Sequence, residues 1–95
     1  MTERRVILFR DEIAGDLRPL GRLHRDRILT AIEERLALEP ERYGKPLGGN
    51  LAGLRRVRVG DYRIVYQVKG AQVVVWAVLH RKTVYAEIVK RFFRR

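Results

Sequence analysis

From Leu54 to Leu79 the chain is strand-like almost without a break, and this stretch limits the folds open to it. Leu54–Val59 alternates apolar and basic residues. Tyr62–Val68 is rich in aromatic and β-branched residues, and Gln72–Leu79 is nearly all apolar. Only Gly60-Asp61 and Lys69-Gly70-Ala71 part the three segments, and connections that short join antiparallel neighbours. A strand apolar on both sides belongs in the middle of a sheet with both faces covered, so Gln72–Leu79 is predicted to be central. Ahead of this meander, Arg4–Phe9 reads as a short strand. Asp11 to about Arg18 reads as a short helix with acids at its start, ended by Pro19. A second helix is predicted from about Arg22 to Leu38, with Ile28, Ala31, Ile32 and Leu36 as its apolar stripe. Glu39-Pro40 stops it, and Arg42–Gly53, full of glycine, proline and asparagine, reads as a loop. After the meander, Tyr85, Ile88, Val89 and Phe92 fall at i, i+3, i+4 and i+7, which predicts a closing helix from about Lys82 to Phe92. The expected order is β-α-α-β-β-β-α. It describes one α+β domain over residues 1–95, with a twisted, mainly antiparallel sheet and helices packed mainly on one face.

A chain of 95 residues buries a limited core and has no room for a large cofactor cavity beside it, so no cofactor is expected. The sequence has no cysteine, which excludes disulfides and thiolate metal sites. It has no apolar run of membrane-spanning length. The opening residues are too charged for a signal peptide, and the default compartment is the cytoplasm. Gly44-Lys45 is followed by Pro46 where a nucleotide-triphosphate loop needs Ser or Thr, so that kind of site is rejected.

Charge is the stronger clue. The net charge is +10, and it is unevenly placed. Residues 1–41 hold eight arginines against nine carboxylates, whereas residues 42–95 hold thirteen lysines and arginines against two. A surplus confined to one part of a chain is the footprint of a polyanion binder. Strand alternation sharpens it. If Val57 and Val59 face the core, Arg56 and Arg58 face the other way. If Tyr62, Ile64, Tyr66 and Val68 face the core, Arg63 joins those two arginines. With Arg81 at the end of the last strand, four arginines are expected to converge on a concave, helix-free surface. Guanidinium forks match phosphates and stabilise charge that develops on them. Taken singly, each arginine fits the solvent side of a half-exposed sheet; the four together, with Asp61 the sole nearby carboxylate, favour a site. His80, beside Arg81, is the most natural proton carrier, with a reference pKa of about 6.5. His24 reads as a surface or half-buried residue of the second helix. Tyr85 reads as a helix anchor or a nucleotide contact, and Trp76 as core. Neither paired-carboxylate catalysis nor a metal site is supported.

Three stretches resemble the RelE family of the RelE/ParE toxin superfamily. They are Tyr43-Gly44-Lys45-Pro46-Leu47, the run Leu51-Ala52-Gly53-Leu54-Arg55-Arg56-Val57-Arg58-Val59-Gly60-Asp61-Tyr62-Arg63-Ile64-Val65-Tyr66, and His80-Arg81-Lys82-Thr83-Val84-Tyr85. The resemblance implies a toxin that enters the ribosomal A site and cuts messenger RNA without a metal. The RNA's own 2′-hydroxyl attacks the adjacent phosphate. It further implies catalytic roles for Arg63, His80, Arg81 and Tyr85, and RNA contacts from Lys45, Arg55, Arg56, Arg58 and Lys82. Members of the family carry lysine on the second strand where Arg56 and Arg58 stand. Arginine is a poor base, so the proton-accepting role passes to His80, or positioning and charge stabilisation carry the rate. The implied partners are the 70S ribosome with its messenger RNA and an acidic RelB-like antitoxin, through which alone operator DNA is contacted; no membrane partner is implied. Two other readings remain: a ParE-like inhibitor of DNA gyrase that catalyses nothing, and a non-enzymatic RNA-binding module.

Overall fold

A computed structural model describes residues 3–94. Its strands are β1 (Val6–Phe9), β2 (Lys45–Pro46), β3 (Arg55–Val59), β4 (Tyr62–Lys69) and β5 (Gln72–His80). Its helices are α1 (Glu12–Leu17), α2 (Arg22–Ala31, running on into a wider π turn over Ile32–Leu36), α3 (Pro40–Tyr43) and α4 (Val84–Arg94). The five strands form one sheet in the order β1-β5-β4-β3-β2. β1 runs parallel to β5, and all other neighbours are antiparallel. The α+β class and the meander stand as expected. The segment read as a loop contributes more than a loop: α3 starts on Pro40, whose ring suits a first helical position, and β2 adds a two-residue edge strand. Two residues are too few to show a period in sequence.

Two apolar cores flank the sheet. On one face Ile13 of α1 and Ile28, Ala31, Ile32 and Leu36 of α2 and its extension pack on Val57, Ile64, Tyr66, Val73, Val75 and Val78. On the other face Val84, Ile88 and Phe92 of α4 pack on Leu54, Val65, Trp76 and Ala77. β5 is therefore covered on both sides, as its composition requires. The surface expected to be free of helices carries α4 along part of it. A register shift opposite Val65 and Tyr66 bulges β5 at Trp76, and a bulge re-aims every side chain beyond it. Trp76 and Ala77 consequently share the α4 core, while Val78 returns to the α2 core.

One buried ion pair joins the layers. The carboxylate of Asp16 in α1 accepts two bonds from the Arg91 guanidinium of α4, at 2.7 and 2.8 Å, and one from the backbone N–H of Val78 at 3.0 Å. Arg91 also donates to the Trp76 carbonyl at 3.2 Å. The pairing holds the Arg91 guanidinium above its ordinary pKa, the bond to Asp16 being the main cause and burial opposing it. Among the described residues no helix is long and apolar enough to cross a membrane.

Candidate nucleic-acid interface

The hairpin of β3 and β4 builds the site. Arg58 stands directly opposite Arg63, Arg56 opposite Val65, and Lys45 of β2 opposite Arg56. Directly paired residues share a face, so Lys45, Arg56, Arg58 and Arg63 lie on the side of Val65, the α4 side. Arg58 and Lys45 are exposed, Arg56 is half-buried, and Arg63 is only 8% exposed. The Nη1 of Arg63 donates to the carbonyls of Gly60 and Tyr62 at 3.0 and 2.9 Å, which fixes the plane of its guanidinium. Burial pushes Arg63 below the ordinary arginine pKa; the nearby charges of Arg58, Arg56 and Arg81 push the same way, while Tyr85 opposes them. Arg63 is thus the buried centre of an arginine cluster, with a tyrosine hydroxyl within electrostatic reach.

The last strand and α4 complete it. The Arg81 N–H donates to the Asp61 carbonyl at 2.8 Å, tying the turn after β5 to the turn between β3 and β4. The Arg81 guanidinium is exposed and stands 4.0 Å from the Asp61 carboxylate, a loose pair. Tyr85 lies in the first turn of α4 and is 41% exposed. Lys82 is exposed in the turn between Arg81 and that helix. Such an arrangement can hold several phosphates and oppose negative charge growing on one of them.

Two expected members are placed elsewhere. Arg55 lies opposite Tyr66, on the other face of β3. Its Nη2 donates to the carbonyls of Glu41 and Gly44 at 2.6 and 2.7 Å, so the guanidinium holds α3 and β2 against the sheet. His80 pairs with Tyr62, again on the face away from Arg63, and meets its ring edge-on at 5.7 Å. The Nδ1 of His80 accepts the Lys82 N–H at 3.1 Å. A neutral imidazole has one acceptor nitrogen, and here that nitrogen is occupied. The His80 ring thus lies on the face away from Arg56, Arg58 and Arg63, with its Nδ1 accepting from the Lys82 N–H, and not among the arginines where it was expected. The β5 bulge is the reason: without it His80 would share a face with Trp76. His24 also meets Tyr62, at 5.3 Å, a contact not foreseen. The signal was present in the spacing, because His24 precedes Ile28 by one helical turn and so borders the inward stripe while staying exposed.

The family model for the ParE toxin of type II toxin–antitoxin systems, parDE, matches residues 7–85. The chain belongs to the RelE family of the RelE/ParE toxin superfamily. It is 42% identical to Toxin RelG of Mycobacterium tuberculosis over a 65-residue alignment that covers 62% of this chain and 75% of that protein. Among solved structures it resembles the RelBE2 toxin–antitoxin complex of M. tuberculosis, with a TM-score of 0.79 and 30% identity over 85% of this chain and 95% of that one. It also resembles the RelB–RelE complex of Methanococcus jannaschii, with a TM-score of 0.68 and 32% identity over 84% and 96% of the two chains. For the toxin RelE of E. coli, a mutant in the free state, the TM-score is 0.64 at 26% identity over 93% and 97%. The chain is therefore a toxin of a type II toxin–antitoxin system.

Proposed function

We propose that this toxin is a ribosome-dependent, metal-independent endoribonuclease that cuts messenger RNA in the A site and so stops translation in the cytoplasm. The observation that carries the reading is the buried Arg63 ringed by Arg56, Arg58 and Arg81 beside Tyr85. A gyrase inhibitor acting by contact alone would not need the His80, Arg81 and Tyr85 set, whose presence in this chain favours RNA cleavage. In the proposed reaction the 2′-oxygen attacks the neighbouring phosphorus, and the bond to the 5′-oxygen breaks. The products are a 2′,3′-cyclic phosphate and a 5′-hydroxyl. Arg63 and Arg81 hold the scissile phosphate and oppose the charge growing on its oxygens; Arg56, Arg58, Lys45 and Lys82 hold flanking phosphates; Tyr85 orients the nucleotide. Arginine is a poor base and the Nδ1 of His80 is taken, so the 2′-proton passes to water and the leaving oxygen takes one from water. Rate then comes from positioning and charge stabilisation.

The test is primer extension on ribosomes programmed with a defined codon, run with EDTA present. Wild type gives stops at the A-site codon. Arg81→Ala, an exposed position, lowers the single-turnover rate by about a hundredfold, the scale for loss of one charge-stabilising group. Intact message with wild type, or an unchanged rate for Arg81→Ala, sinks the assignment; intact message together with arrested gyrase supports the ParE-like alternative instead.

A further inference from the structure

Both histidines of the chain, one in α2 and one at the end of β5, touch the same ring. His24 meets Tyr62 at 5.3 Å with a tilt of 54°, and His80 meets it at 5.7 Å, edge-on at 79°. The three rings form one contact cluster at the sheet's end, with Tyr62 and His80 on the face opposite Arg63. His24 is exposed, and Tyr62 and His80 are half-buried. The rim is basic: Arg81 and Lys82 are exposed next to His80, and the Arg27 guanidinium lies over Gly60 in the adjacent turn. Asp61 is the carboxylate in that turn, and Arg81 faces it. Core packing accounts for Tyr62, which borders the α2 core. It does not account for an exposed imidazole in the ring cluster.

We infer that the His24–Tyr62–His80 cluster is a stacking platform for an unpaired RNA base, lying just past the end of the phosphate-gripping face. The inference rests on the RNA-directed reading above and extends it to a base subsite. The geometry joins the two surfaces at one point. The Arg81 N–H is tied to the Asp61 carbonyl in the turn between β3 and β4, while its chain neighbour His80 pairs with Tyr62 on the face away from Arg63. A strand whose phosphate is held by Arg81 therefore turns the sheet's end, and its next nucleotide reaches the rings. Bases stack on aromatic side chains irrespective of sequence, and every base offers such a face. The bond from the Lys82 N–H to the His80 Nδ1 fixes the imidazole's orientation, as a platform needs.

The experiment measures binding of a short single-stranded 2′-O-methyl RNA by fluorescence anisotropy; the methyl group blocks the attacking hydroxyl, so binding is read without cleavage. A second probe has the same length but abasic riboses. Wild type should bind the base-bearing probe about tenfold more tightly than the abasic one, in line with the loss of one stacked base. His24→Ala, at an exposed position, and His80→Asn, which keeps an acceptor for the Lys82 N–H, should each remove at least about fivefold on the base-bearing probe. Neither should alter abasic binding or the salt dependence. Equal binding of both probes by wild type, or unaltered binding by both variants, overturns the platform. The two readings fail separately: base-dependent binding without cleavage sinks only the enzyme, and cleavage without base-dependent binding sinks only the platform.

Discussion

Gly44 shows how one small residue fixes the border of the site. A side chain there would collide with the Tyr66 hydroxyl and ring, and Tyr66 is wholly buried, donating to the Pro40 carbonyl at 2.5 Å. Only a glycine lets the chain pass over that ring into β2, which carries Lys45. Gly44→Ala should cost about 1–3 kcal/mol, the range for overpacking a filled interior, read as a lowered denaturant midpoint. Tyr66→Phe tests the same corner by pH. Burial raises the Tyr66 pKa above its ordinary value. Below about pH 10 both folded and unfolded chains keep the phenolic proton. As pH rises past that point the unfolded chain releases it first and gains stability, so the folded state loses ground. Tyr66→Phe should cost about 1 kcal/mol at neutral pH through the lost hydrogen bond and should flatten the alkaline decline. An equally steep decline in the variant would place it on other groups. In the sequence Gly44 signals only a turn, because the ring it must clear is 22 positions away.

The meander was legible at the level of elements because each of its strands has a period and a marked end. The helices were legible from stripes such as Ile28, Ile32 and Leu36. The parity of β5 was not, since a bulge leaves no mark in a run of apolar residues; His80 was expected in the cluster because it adjoins Arg81 in the chain, and adjacency does not give the face that its ring takes. The clamp between α1 and α4 was equally hidden: Asp16 and Arg91 are 75 positions apart, and each reads as an ordinary surface charge. Its effect should be large. Removing one partner leaves the other charge buried and unmatched, which costs about 3–5 kcal/mol. Asp16→Ala should fall in that range by denaturant unfolding, while Asp16→Leu combined with Arg91→Leu should recover part of the loss. Additive losses in the double variant would mean that the two side chains act independently. Because α4 also carries Tyr85, Arg91→Met should slow cleavage without altering the arginine face itself.

Charge is divided across the whole molecule as it is along the chain. The strand order puts β1 at one edge of the sheet and β2 with β3 at the other, so Lys45, Arg56, Arg58 and Arg63 gather toward the edge that the meander and β2 build, with α2 of the near-neutral first segment against the opposite face of β3. The interface was legible to this extent: pairing of Arg58 with Arg63 follows from alternation and a two-residue turn, whereas the diversion of Arg55 to the carbonyls of Glu41 and Gly44 does not. Besides the buried Arg63, which is left out of the surface count, Lys45, Arg56, Arg58, Arg81 and Lys82 are the cations able to meet phosphates at the surface. Each phosphate neutralised on a single strand releases condensed counterions, with a slope of about −0.7 per contact in log affinity against log salt. Engagement of all five gives a slope near −3.5, and Arg58→Ala should reduce it by about 0.7. Arg55→Ala should leave the slope alone and lower stability, because its guanidinium serves the fold. An acidic antitoxin segment seated on the same face competes for the same cations, so a saturated complex should show no RNA binding and no cleavage at moderate salt. Retention of the full RNA slope in that complex would mean that the antitoxin sits elsewhere. The salt slope thus reads the interface as a unit, separating arginines that meet phosphate from arginines that only build the sheet.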